Sequence, residues 1–172
     1  RLAFLDGVQR TELLAYHGHS PIVLAEIAAA VRERTDRQFR TILEERRVIV
    51  LARPDALLAA GEALEGHVIH SLPSEEGGHP SADLSQAARA VDQARGALEL
   101  ALALRYRAQS TGWLVVDGGL TESPELAADS RMTGVVKSHA TLPFDGPDLD
   151  RYLRLPQGNR SSIFTPVTRS LT

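Results

Sequence analysis

Residues 112–123 read GWLVVDGGLTES: a short apolar run, residues 113–116, that ends on Asp117 and two glycines. An apolar run of this length, rich in valine and bounded by glycines, predicts a buried strand. The same pattern opens the chain, where residues 2–10, LAFLDGVQR, carry a strand into Asp6 and Gly7. Between them, residues 82–109 contain one glycine and no proline, and Leu84, Ala88, Val91, Leu98 and Leu102 recur near helical spacing. That segment predicts the main helix. Two strand–Asp–Gly units separated by one long helix are the frame on which the rest is placed.

The remaining segments fill that frame. Residues 1–27 favour extended structure, with LAFLDGVQ and RTELLAYHG expected to form a hairpin of their own. Residues 21–24 favour a strand, while the alanine-rich stretch after them also fits a helix. Residues 30–47, RERTDRQFRTILEERR at their core, fit either an exposed helix or a long solvated hairpin. VIVLA at 48–52 is a strand, and Pro54-Asp55 opens a helix that breaks near Gly66. Residues 67–73 make a short strand at best, 74–85 are a loop, 132–139 are a strand and 146–155 a short helix. The order predicts one domain over residues 1–172 of α/β class, a mixed sheet with early antiparallel hairpins and flanking helices. The chain lacks an initiator Met and is read as a piece of a longer protein.

Composition excludes several classes. Of 172 residues, 43% are hydrophobic and 24% charged, an ordinary globular mixture. No apolar run approaches the ~20 residues that span a bilayer, so no membrane association is expected, and the default compartment is the cytoplasm. Without cysteine there is neither a disulfide framework nor a thiolate metal site. The net charge of -3 does not draw nucleic acid to the chain as a whole. Only one of the 19 basic residues, Lys137, is a lysine.

Strand ends that deliver Asp6 and Asp117 to one edge of a sheet, with Glu99 on the helix between, form a candidate acidic site. Glu99 falls between Leu98 and Leu102, with Arg95 one turn before it. Converging carboxylates stay ionised only if a cation or an arginine compensates them. Oxygen-only ligands suit hard divalent ions such as Mg²⁺ or Mn²⁺. Two such ions ~4 Å apart clamp both oxygens of an in-line attack on a phosphodiester. Taken alone, an Asp-Gly pair after a strand is a turn far more often than a site.

The order Asp on the first strand, Glu on the first major helix, Asp closing the fourth strand resembles the ribonuclease H-like nuclease fold. Within it, four stretches resemble the NurA family of DNA-repair nucleases: FLDGVQR, ARGALELALALRY, WLVVDGGL and GVVKSH. The resemblance implies that Asp6, Glu99 and Asp117 are catalytic acids holding Mn²⁺ or Mg²⁺, two ions in all, with Lys137 beside them. It implies 5′-to-3′ exonuclease and single-strand endonuclease action in DNA end resection, a homodimer, and a HerA-type hexameric ATPase as partner. The chain departs from the family in carrying Val8 and Gly119 where serine is common, and in lacking further polar residues near its end.

Arg10, His139, Arg151 and Tyr152 are the expected DNA contacts, with Arg131, Arg154, Arg160 and Phe164 as further candidates. The alternative reading is a non-catalytic scaffold of the same fold that dimerises or docks on an ATPase. A ribonuclease or resolvase would share the acids and differ in substrate. The histidine pairs His17/His19 and His67/His70 match no zinc signature. Ser110, Ser123 and Ser138 lack a nucleophile elbow, and no phosphate-binding glycine loop is present.

Overall fold

The computed structural model describes residues 1–73, 79–120, 123–136 and 144–164. Three long strands come first: β1 (Leu2–His17), β2 (Ser20–Thr35) and β3 (Gln38–Ala52). Helix α1 (Pro54–Ala60), a 3₁₀ turn (Gly61–Leu64) and strand β4 (Val68–Ser71) follow. Then come helix α2 (Pro80–Gln109), strand β5 (Trp113–Asp117), helix α3 (Pro124–Ala128), strand β6 (Met132–Val135) and helix α4 (Gly146–Leu153). The six strands form one mixed sheet in the order β4-β3-β2-β1-β5-β6. β1, β2 and β3 are mutually antiparallel, while β5 runs parallel to β1 and β6 parallel to β5. The chain is thus α/β, with helices flanking a mixed sheet.

The opening residues correct one expectation. LAFLDGVQ and RTELLAYHG are a single strand, β1, and the hairpin pairs it with β2 in near-continuous register from Leu2↔Arg34 to His17↔Ser20. The polar step at residues 10–12 holds no residue suited to reverse the chain; the turn falls at Gly18, whose φ of 58° costs glycine nothing. Residues 30–47 form the hairpin of the two alternatives. Asp36 and Arg37, at φ 51° and 63°, both sit in the left-handed region, as the two-residue turn that matches strand twist demands.

Alternation decides the alanine-rich stretch. Val23, Ala25, Ile27, Ala29 and Val31 are all buried on one face of β2, a period of two that no helix could present. Their small side chains let α2 lie close across β1, β2 and β3. Helix α2 contributes Val91, Leu98, Leu102 and Tyr106 to the same core. Its buried residue in the early turns is Ala87 and not Ala88, and it begins at Pro80, where the His79 ring accepts a hydrogen bond from the Ser81 N–H at 3.2 Å. A buried ion pair pins this end: Arg53 Nη2 donates to Asp83 Oδ1 at 2.9 Å, and Asp83 is 1% exposed. At the other end Tyr106 Oη donates to Glu33 Oε1 at 2.9 Å.

The opposite face of the sheet is covered differently. Val50, Ala52 and Ala56 are buried apart from the main core, at the end where β3 passes into α1. Further along that face the side chains of β1, β2 and β5 are half-buried or exposed. No helix among the described residues is long and apolar enough to cross a membrane.

Candidate active site

The parallel pairing of β1 and β5 sets the site. Leu2 pairs with Trp113, Ala3 with Leu114, Phe4 with Val115 and Leu5 with Val116. The pairing ends there, and Asp6 and Asp117 each follow one residue past its last pair on the two neighbouring strands. Both are exposed. Leu5 and Val116 turn into the core under α2, so alternation directs both aspartates to the opposite face of the sheet, while Glu99 comes from the α2 side.

Glu99 arrives from α2. It lies directly over Gly7: a Cβ there would overlap Glu99 Oε1. Gly7 therefore answers part of the question posed by an Asp-Gly pair, because it makes room for the helix carboxylate. Gly118 answers the rest, since its φ of 105° belongs to glycine. A Cβ on Gly134 of β6 would likewise overlap the Gly118 carbonyl, so that glycine lets β6 close against the turn.

Burial raises the Glu99 carboxyl above the ordinary glutamate range; Arg95 opposes the shift, and the negative charges of Asp6 and Asp117 add to it. The three acids thus feel one another. Arg95 compensates them in part. Its Nη1 meets Glu99 Oε1 at 2.5 Å, its Nη2 meets Asp92 Oδ1 at 2.8 Å and its Nε donates to Gln9 Oε1 at 3.0 Å. Glu99 and Asp117 line a cleft of about 80 Å³ whose walls are Leu5, Leu100, Val116 and Leu120.

Whether these residues fit a divalent ion follows from their chemistry. All three supply only oxygen, and their mutual repulsion is what a hard cation relieves. Among the described residues, however, no three His, Asp or Glu side chains are assembled as a ready-made metal group. Glu99 is turned to Arg95, so an ion would have to draw it away from that guanidinium. The donor set fits; its present arrangement is that of a site compensated by arginine.

The other expected residues fall as follows. Arg10 lies four residues beyond Asp6 on β1, exposed, with Glu12 Oε2 3.8 Å away. Arg151 and Tyr152 are on α4, which buries none of its residues; Arg151 pairs with Asp148 at 3.1 Å, and Tyr152 packs against Phe144 at 5.1 Å between ring centres. Neither lines the cleft. Arg131 is engaged with Asp129. Lys137 and His139 lie outside the described residues.

Two residues at the site went unassigned in the sequence. Arg95 carries an available signal, its place one helical turn before Glu99. Gln9 has a weaker one: Leu5, Gly7 and Gln9 alternate onto the helix-facing side of β1. Comparison with protein-family models, with curated proteins and with solved structures returned no match to this chain.

Proposed function

We propose that the chain is a metal-dependent DNA nuclease of NurA type on a ribonuclease H-like sheet. The observation that carries the reading is the parallel pairing of β1 and β5, whose last pair, Leu5↔Val116, directly precedes Asp6 and Asp117, with Glu99 brought from α2 over Gly7. A central strand paired antiparallel on one side and parallel on the other, its parallel partner reached through the main helix, is the connectivity that the resemblance calls for.

Asp6, Glu99 and Asp117 would hold Mn²⁺ or Mg²⁺, which when bound activates water and neutralises charge on a phosphodiester. Arg95 would hold Glu99 in place between turnovers and, once released, lie close to an incoming phosphate. Gly7 and Gly118 keep side-chain bulk away from the carboxylates. The role of Lys137 in neutralising phosphate rests on likeness alone. The homodimer, the HerA-type ATPase and action in end resection rest on likeness alone.

Arg95 also favours a second reading, a scaffold whose acids are merely neutralised. The two part in one experiment: Mn²⁺-dependent degradation of end-labelled single-stranded DNA by wild type and by Asp117→Asn. The nuclease reading expects cleavage by wild type that EDTA abolishes and that Asp117→Asn lowers at least about 100-fold. No cleavage by a folded wild type, with no Mn²⁺ binding by calorimetry, establishes the scaffold.

A further inference from the structure

The sheet face that turns away from α2 carries a pattern of its own. Strand register puts Trp113, Leu2, Arg34 and Phe39 in one row across β5, β1, β2 and β3. The next row holds Val115, Phe4 and Arg32; two residues further along each strand, on the same face, come Asp117 and Asp6. Trp113 and Phe39 are each 48% exposed. Phe4 meets Phe39 edge-on at 5.6 Å, and the Arg32 guanidinium lies 5.3 Å from the centre of the Phe39 ring. Those contacts hold the residues on one surface.

Charge separates this end of the face from the other. Further down, Arg10 has Glu12 as its counter-ion and Arg46 has Glu26. Among the described residues Arg32 and Arg34 form no ion pair. Two guanidinium groups without counter-ions among the described residues, set with exposed aromatic rings on a half-exposed sheet face, meet the requirements of a single strand: phosphates for the arginines and base faces for the rings. Aromatic side chains on an open sheet stack bases in just this manner. A protein partner would leave two desolvated guanidinium groups to be matched, whereas phosphate matches them directly.

We infer that this face binds single-stranded DNA, with bases stacked on Trp113 and Phe39, phosphates on Arg32 and Arg34, and the backbone led toward Asp6 and Asp117. The distance suits that task. Four residues of β5 separate Trp113 from Asp117, about 13 Å. The inference rests on the nuclease reading for its purpose and can be tested apart from it.

Trp113 is the only tryptophan, so its fluorescence reports on this face alone. Oligo(dT) of about 16 nucleotides is titrated into the full chain in EDTA, where nothing is cleaved, and anisotropy of the labelled strand is followed in parallel. Trp113 is expected to be quenched. Arg32→Ser with Arg34→Ser should weaken binding at least about tenfold and reduce the salt slope by about 1.4, two phosphates' worth. Circular dichroism confirms that the variant is folded.

Binding that leaves Trp113 unquenched, or that the double variant leaves unchanged, overturns the inference. So does sedimentation showing that Trp113→Ser dissolves a dimer without altering DNA affinity, since a second copy would then own the face. Quenching without Mn²⁺-dependent cleavage removes the nuclease reading and keeps this one; cleavage without quenching does the reverse.

Discussion

Two of the arginine–carboxylate pairs that involve α2 differ in kind. Arg53–Asp83 is sealed in: the side chains are 13% and 2% exposed. Arg95–Glu99 is half open, at 27% and 21%, and the arginine there must serve Asp92 as well while Asp6 and Asp117 stand near. The first pair balances and anchors the helix to the end of β3. The second brings Glu99 within reach of the charges of Asp6 and Asp117, so that one arginine stands among several acids.

Breaking the first pair gives the largest expected effect. Arg53→Ala leaves Asp83 buried without its counter-ion and should cost about 3–5 kcal/mol in urea unfolding. Arg53→Met with Asp83→Leu should recover most of that loss. If the single variant costs under about 1 kcal/mol, the joint is not what anchors α2.

Gly7→Ala sharpens the other side of the comparison. The new methyl overlaps Glu99 and must displace it, at about 1–3 kcal/mol of overpacking. Thermal unfolding should fall moderately while Mn²⁺-dependent cleavage is lost. Retained cleavage would remove Glu99 from the site.

Glu99→Gln is the smallest in stability and reverses the sign. A carboxyl whose pKa is raised in the fold binds its proton more tightly there than in the unfolded chain. Its contribution is therefore present at low pH and is lost as pH rises through the raised value. Glutamine abolishes that step, so the variant should be as stable as wild type at neutral pH or slightly more so, within about 1 kcal/mol. Its unfolding free energy should also be flatter with pH above the ordinary glutamate range. An Arg95–Glu99 pair that behaves like Arg53–Asp83 would instead make Glu99→Gln strongly destabilising.

Much of this was legible in the residues. The apolar run into Asp117, the proline-free span of α2 and the placement of Glu99 beside Leu98 are local patterns, and the structure keeps each. The opening hairpin was misread because a polar step within a strand looks like a turn until the partner's unbroken ladder is known. The phase of α2 near Ala87 slipped by one because alanine buries and exposes with little difference in free energy. Arg95 and Gln9 were missed as a pair because they are 86 residues apart, joined only when β1 lies under the helix.

The sequence by itself determined the apolar strand into Asp117, the strand at 48–52 and the long helix before Gln109: alternation, helical periodicity and glycine positions are written in neighbouring residues, where short-range sterics act. Only the tertiary structure decided that β1 and β5 pair up to the residues before Asp6 and Asp117, that Glu99 rests on Gly7, and that Trp113, Phe39, Arg32 and Arg34 share one face. Those facts depend on register between strands far apart in the chain. Register is set by the packing of one whole face against α2, a sum over many contacts that no single stretch of residues contains.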